Sequence, residues 1–144
     1  MMEKKFEYLE HTADVKFKAY GNCLEEAFAN AAFAMFNAMI DLNEISFNRE
    51  IAINLEAESL EDLLYDWLSE LLYQFDANYI IFGGFEVDKI IERDGKFLIE
   101  GRAFGEQIDL KKHKFHLQVK AVTFHDMQIK KVNDCYTIQV LLDT

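Results

Sequence analysis

The chain has 144 residues, 51% hydrophobic and 14% aromatic, with thirteen Phe and a net charge of −11. That is the size and composition of one folded domain, burying roughly 70% of its unfolded surface, and it excludes a disordered chain. No run approaches the ~20 apolar residues of a bilayer span, and the acidity argues against a free-standing nucleic-acid binder, which normally presents a basic face.

Phe6 to Glu10 reads as a first strand. Val15, Phe17 and Ala19 alternate with Lys16, Lys18 and Tyr20, the period of a half-buried second strand. Gly21 ends it. Asn22 is placed to cap a helix, with Glu25 three residues on to complete a capping box. From Leu24 to Met39 the apolar residues fall at i, i+3, i+4, i+7, as in Leu24, Ala27, Phe28 and Ala31. Ile51, Ile53, Leu55 and Ala57 alternate again, giving a third strand. Ser59 with Asp62 resembles a second helix start, and Leu60 to Phe75 follow at helical spacing around Trp67. Glu61, Asp62 and Asp66 lie near the N-terminus of that helix, where its dipole favours them.

After this the pattern is strand upon strand. The candidates are Tyr79 to Val87, Phe97 to Phe104, Phe115 to Phe124, Met127 to Val132 and Tyr136 to Leu142. Asp94-Gly95 and Asn133-Asp134 are turn signals between them. The expected fold is a single α+β domain over residues 1–144. Its sheet is largely antiparallel, with a mixed order allowed, and two amphipathic helices pack on one face. With no apolar stretch behind Met1 to Lys5 to act as a signal, the expected location is the cytoplasm.

Cys23 and Cys135 are too few for a disulfide framework and lack zinc-site spacing, so they read as reduced structural thiols. Lys111, Lys112 and Lys114 read as a solvated loop. Three stretches carry more polar chemistry than strand connections require: His11-Thr12-Ala13-Asp14, Val119 to His125, and Val140 to Thr144. Lys120 interrupts a mostly apolar run and must snorkel, pair with an acid or face a polar cavity. On spacing alone it lies on the solvated face with His116 and Gln118. Asp14, Asp143 and the main-chain carboxylate at Thr144 would repel one another if gathered, unless a cation or Lys sat between them. Oxygen ligands favour a hard cation such as Ca²⁺ or Mg²⁺ over Zn²⁺. Nothing in the spacing brings the three together, and separate surface carboxylates are the simpler reading.

The His11 to Asp14 segment, the Val119-Lys120-Ala121-Val122-Thr123-Phe124 run and the penultimate Asp143 together resemble the archease family. Gly21 before Leu24-Glu25-Glu26-Ala27-Phe28, Ala34-Met35-Phe36 leading to Asp41, the helix around Trp67-Leu68 and Gly105-Glu106 follow the family's order along nearly the whole chain. Phe124 stands where Tyr is usual, and Thr144 where an aliphatic residue is usual.

The resemblance implies an accessory protein, not a stand-alone enzyme. Archease activates the tRNA-splicing RNA ligase that joins 3′-phosphate and 5′-hydroxyl ends with GTP and a divalent metal. It promotes guanylylation of the ligase and multiple turnover. Carried onto this chain, Asp14 and Asp143 become metal ligands, with the Thr144 carboxylate. Lys120 lies beside them, and His11 supports the site by holding Asp14 or touching the partner. The implied cofactor is a divalent cation, Ca²⁺ or Mg²⁺, with Mn²⁺ allowed. The implied partner is the ligase; RNA is met only indirectly, and neither a membrane nor stable DNA binding is expected. Two rival functions remain open from the residues: a metal-dependent hydrolase using His11 and Asp14, and a chaperone-like RNA-processing module.

Overall fold

The computed structural model describes residues 4–10 and 14–144. Strands β1 (Phe6–Leu9) and β2 (Val15–Gly21) lead into helix α1 (Leu24–Asn37). A short 3₁₀ turn, Leu42–Glu44, precedes strand β3 (Arg49–Ala57) and helix α2 (Leu60–Asn78). Strands β4 (Ile80–Arg93), β5 (Lys96–Gln107), β6 (Ala121–Val132) and β7 (Cys135–Asp143) follow. The class is α+β, and every strand pair among the described residues is antiparallel. The strands divide between two sheets, one ordered β1-β2-β7-β6 and the other β3-β5-β4. Each helix packs against both sheets.

Alternation in β2 and β7 builds one wall of the core. Phe17 pairs with Val140 and Ala19 with Ile138, and all four are fully buried. Directly opposed residues share a face, so this face meets the helices while Lys16, Lys18 and Tyr20 turn outward. On α1 the periodic residues Ala27, Phe28, Ala31 and Met35 are buried without remainder. Trp67 of α2 fills the centre, and its indole Nε1–H donates to the Phe28 carbonyl at 3.1 Å, satisfying its one polar atom.

The helix starts differ from one another. Ser59 caps α2 as expected, its hydroxyl accepting from the Asp62 amide at 3.0 Å. At α1 the cap is Cys23, not Asn22, and its side chain makes no capping bond. Glu26, not Glu25, turns back to accept from the Asn22 amide at 3.1 Å. The capping pair is therefore one-sided and shifted by one residue, because Gly21 still pairs with Tyr136 in the sheet and delays the helix.

The two strands expected at Phe115 to Phe124 and Met127 to Val132 are also redrawn. Residues 108–120 hold no strand; apolar side chains such as Phe115 and Leu117 pack on the core from an irregular segment. β6 is one strand through the supposed gap, with its register against β7 broken between Thr123 and Gln128. Asp126 there has a φ of 58°, and its carbonyl accepts from Gln139 Nε2 at 2.9 Å. A bulge bends the strand without ending it. Asp94-Gly95 and Asn133-Asp134 are turns, with positive φ at all four residues.

Candidate functional site

Backbone pairing gathers residues from the two ends of the chain at one edge of the four-stranded sheet. Val15 pairs with Leu142, so Asp14 and Asp143 sit one step further along the same ladder. Ala121 pairs with Asp143 on the other side of β7. The Lys120 amide donates to the Asp143 carbonyl at 2.7 Å. Asp14 Oδ1 accepts from the Thr144 amide at 3.5 Å. Four of the five residues singled out in the sequence thus converge: Asp14, Asp143, Thr144 and Lys120. His11 lies outside the described residues.

Lys120 precedes β6 and does not interrupt a strand. It is exposed, as are His116 and Gln118, so the solvated reading of that alternation holds. Asp143 is exposed, while Asp14 and Thr144 are half-buried. Beside them is a concavity of about 380 Å³ whose lining includes Tyr8, Glu10, Asp14, Val15 and Leu117. Tyr8 is anchored there by its hydroxyl, which donates to the Ala34 carbonyl at 2.9 Å. The backbone thus brings Asp14, Asp143 and Lys120 together in one tip beside a concavity with a largely apolar floor.

Among the described residues no three His, Cys, Asp or Glu side chains cluster closely enough to hold a metal. A cation at this tip would need the main-chain carboxylate of Thr144 as a third oxygen group beside Asp14 and Asp143. That all-oxygen set fits a hard cation, not zinc.

Two further features are absent from the sequence reading. The first is the Lys16–Asp126 ion pair at 3.2 Å, which joins β2 to the β6 bulge across the outer face. The positive φ of Asp126 turns its side chain into reach, and no local motif announces that. The second is a buried carboxylate, Glu106, which accepts from the Ser46 amide, Lys112 Nζ and His113 Nε2 at 2.8–3.0 Å. His113 Nδ1 accepts from the Asp109 amide at 2.9 Å, so neutral His113 carries its proton on Nε2 and donates it to Glu106. Burial pushes the Glu106 carboxyl up, but the bonds from Lys112, His113 and Ser46 outweigh it and hold the group at about 2. This cluster pins the start of the irregular segment that ends at Lys120. Only Gly105-Glu106 hinted at it in the sequence.

Phe124 is half exposed and stacks on Tyr65 of α2, with centroids 4.2 Å apart and planes 10° apart. Cys23 and Cys135 are free and exposed, so they contribute nothing to the core. No helix among the described residues is long and apolar enough to cross a membrane.

The profile of the Archease protein family matches residues 6–144. A protein archease of Methanosarcina barkeri is 49% identical over 140 residues, 97% of this chain and 96% of that protein. One from Pyrococcus furiosus is 44% identical over 131 residues, 91% and 92% of the two chains. The solution structure of Methanobacterium thermoautotrophicum protein 1598 superposes with a TM-score of 0.87 at 42% identity, covering 97% of this chain and 99% of that one. A Thermotoga maritima structure described as an archease and possible chaperone shares the fold, with a TM-score of 0.58 at 20% identity over 100% of this chain and 98% of that one.

Proposed function

The chain belongs to the archease family, and from that premise we propose that it activates a tRNA-splicing RNA ligase through its acidic tip. The observation that carries this reading is the convergence of Asp14, Asp143, Thr144 and Lys120 at one sheet edge. Asp14, Asp143 and the Thr144 carboxylate would hold a divalent cation, Ca²⁺ or Mg²⁺. When bound, such a cation would supply positive charge to neutralise phosphate oxygens in nucleotidyl transfer.

The residues of this chain supply the rest. The carboxylates, repelling one another when empty, gain most from a cation at the tip. Lys120 offers an ammonium as a point charge for a nucleotide phosphate. Asp143 ends β7, Asp14 and Lys120 immediately precede β2 and β6, and Thr144 follows β7, so the ladder between these strands holds the tip preformed for a basic cleft. The net charge of −11 steers the approach to such a cleft. In this reading the ligase performs the bond-making, and the chain promotes its guanylylation and repeated turnover.

The experiment is RNA ligation by the cognate ligase under multiple-turnover conditions, with and without this protein. Stimulation by the wild type, lost in Asp14→Ala, Lys120→Ala and Asp143→Ala variants that keep their fold, is the expected result. Full stimulation by all three variants rejects the tip as the working element.

A further inference from the structure

The outward face of the four-stranded sheet carries a groove lined by polar side chains. Two cross-strand rows define it. Lys18 of β2, Gln139 of β7 and Gln128 of β6 stand side by side, and Tyr20, Thr137 and Lys130 form the next row. Together with Val132 these six line a groove of about 190 Å³. The chain has 26 Asp and Glu against 15 Lys and Arg, yet among the described residues no carboxylate lines this groove. Neither Lys18 nor Lys130 forms an ion pair among the described residues, although other lysines, such as Lys16, Lys89 and Lys112, do.

Two acids flank the groove. Glu7 pairs with Lys18 in the β1–β2 register and its charge acts on Lys18 without a contact ion pair, while its carboxylate accepts from the Tyr20 hydroxyl at 3.0 Å and from Lys4 Nζ at 2.5 Å. Asp126, on the other flank, holds Lys16. The groove thus offers two ammonium groups with the Gln128 amide and the Thr137 hydroxyl between them, the Tyr20 hydroxyl and the Gln139 amide being bonded to Glu7 and to the Asp126 carbonyl. β2 and β6 flank β7, so the lysines arise from strands roughly 10 Å apart and reach toward one another across it. The −11 of the whole molecule does not cancel this, because exposed charges are screened beyond ~10 Å at ordinary ionic strength.

We infer that this groove binds a phosphate oxyanion, and that its natural source is the phosphodiester of a single-stranded RNA. Two lysines with the neutral donors of Gln128 and Thr137 match the demands of such a group, and contacts of this kind track a backbone without reading its bases. The groove lies on the same side of the sheet as Asp14 and Asp143. Lys18 is four residues from Asp14 along β2, roughly 13 Å, so an RNA seated here leads toward the tip. Acidity of the chain as a whole makes RNA contact local and weak, in keeping with a protein that meets RNA beside a partner.

The test needs no ligase, so its outcome is separate from that of the activation reading. The ¹⁵N-labelled protein is titrated at low salt with a short oligouridylate and, in a second arm, with inorganic phosphate. The expected result is that the amides of Lys18, Gln128, Lys130 and Thr137 shift together with the oligouridylate. A Lys18→Ala/Lys130→Ala variant should bind it at least tenfold more weakly and lose about 1.4 from the log K against log salt slope, two single-strand contacts. Lys18→Arg/Lys130→Arg should retain binding. Shifts at the same amides with inorganic phosphate alone support the groove with free phosphate as its ligand. Shifts confined to Lys111–Lys114, shifts nowhere, or undiminished binding by the double alanine variant overturn the proposal. Lys130 is fully on the surface, and Lys130→Ala alone serves if the double variant fails to fold.

Discussion

Asp14 Oδ1 accepts the backbone amide of Thr144 at 3.5 Å, a contact between residues 130 positions apart. One carboxylate therefore does two things: one oxygen ties the start of β2 to Thr144, and its charge adds to that of Asp143. The two roles separate by substitution. Asp14→Asn keeps an acceptor for the Thr144 amide and removes the charge. Its thermal midpoint should stay within about 2 °C of wild type, a surface-sized effect. Its affinity for Ca²⁺ or Mg²⁺ should fall about tenfold or more, as expected when one anionic ligand is neutralised. Calorimetric titration with the metal and a melting curve on the same sample measure both.

Glu106 makes stability depend on acid. Its carboxyl is held at about 2 in the fold against 4.5 unperturbed. A lowered folded value means that the stabilisation is fully present above pH 4.5. It is lost progressively as the pH falls from there toward 2. The difference corresponds to about 2–3 kcal/mol once solvent screening at the partly exposed Lys112 is allowed for. Glu106→Gln should therefore be less stable than wild type by about that amount at pH 7, and the gap should close near pH 2. Urea unfolding of both proteins across that range measures the gap.

Gly105 precedes it in β5, where a Cβ would stand 1.9 Å from the Ile81 carbonyl oxygen. Backbone on an adjacent strand cannot yield by that much. Gly105→Ala should cost about 3 kcal/mol or more, at the upper end for overpacking, read as a fall in the urea midpoint at unchanged slope.

Phe124 stands where the sequence resemblance leads one to expect Tyr, and its ring is stacked on Tyr65 with its outer side in water. A para hydroxyl added there meets solvent, so Phe124→Tyr should change stability by less than about 0.5 kcal/mol. Phe124→Ala removes the stack and should cost about 1 kcal/mol. If ligation assays show Phe124→Tyr stimulating the ligase more strongly than wild type, the hydroxyl touches the partner and the difference from the family pattern is functional.

Elements with a clean period are legible in the chain. The α1 and α2 stripes, the alternation of β2 and β3 and the Ser59 cap are all local patterns, because helix and strand geometry repeat every few residues. The segment from 108 to 120 is not legible. Phe115, Leu117 and Val119 alternate like a strand, but they alternate because every second side chain reaches the core. No neighbouring strand offers them a ladder, and alternation alone does not report pairing. The α1 cap fails for a related reason: Asn22 has the right chemistry, but sheet pairing at Gly21 shifts the start to Cys23.

The same division governs the site. Residue chemistry marks Asp14, Lys120, Asp143 and Thr144 from the sequence, and their order along the chain marks the family. Their convergence depends on β7 lying between β2 and β6, a pairing of elements from opposite ends of the chain that no local pattern encodes. The groove between Lys18 and Lys130, lined by no carboxylate among the described residues, is still further from the sequence. It exists only because two cross-strand registers stack these side chains in adjacent rows, while the acids around them are drawn away into pairs of their own.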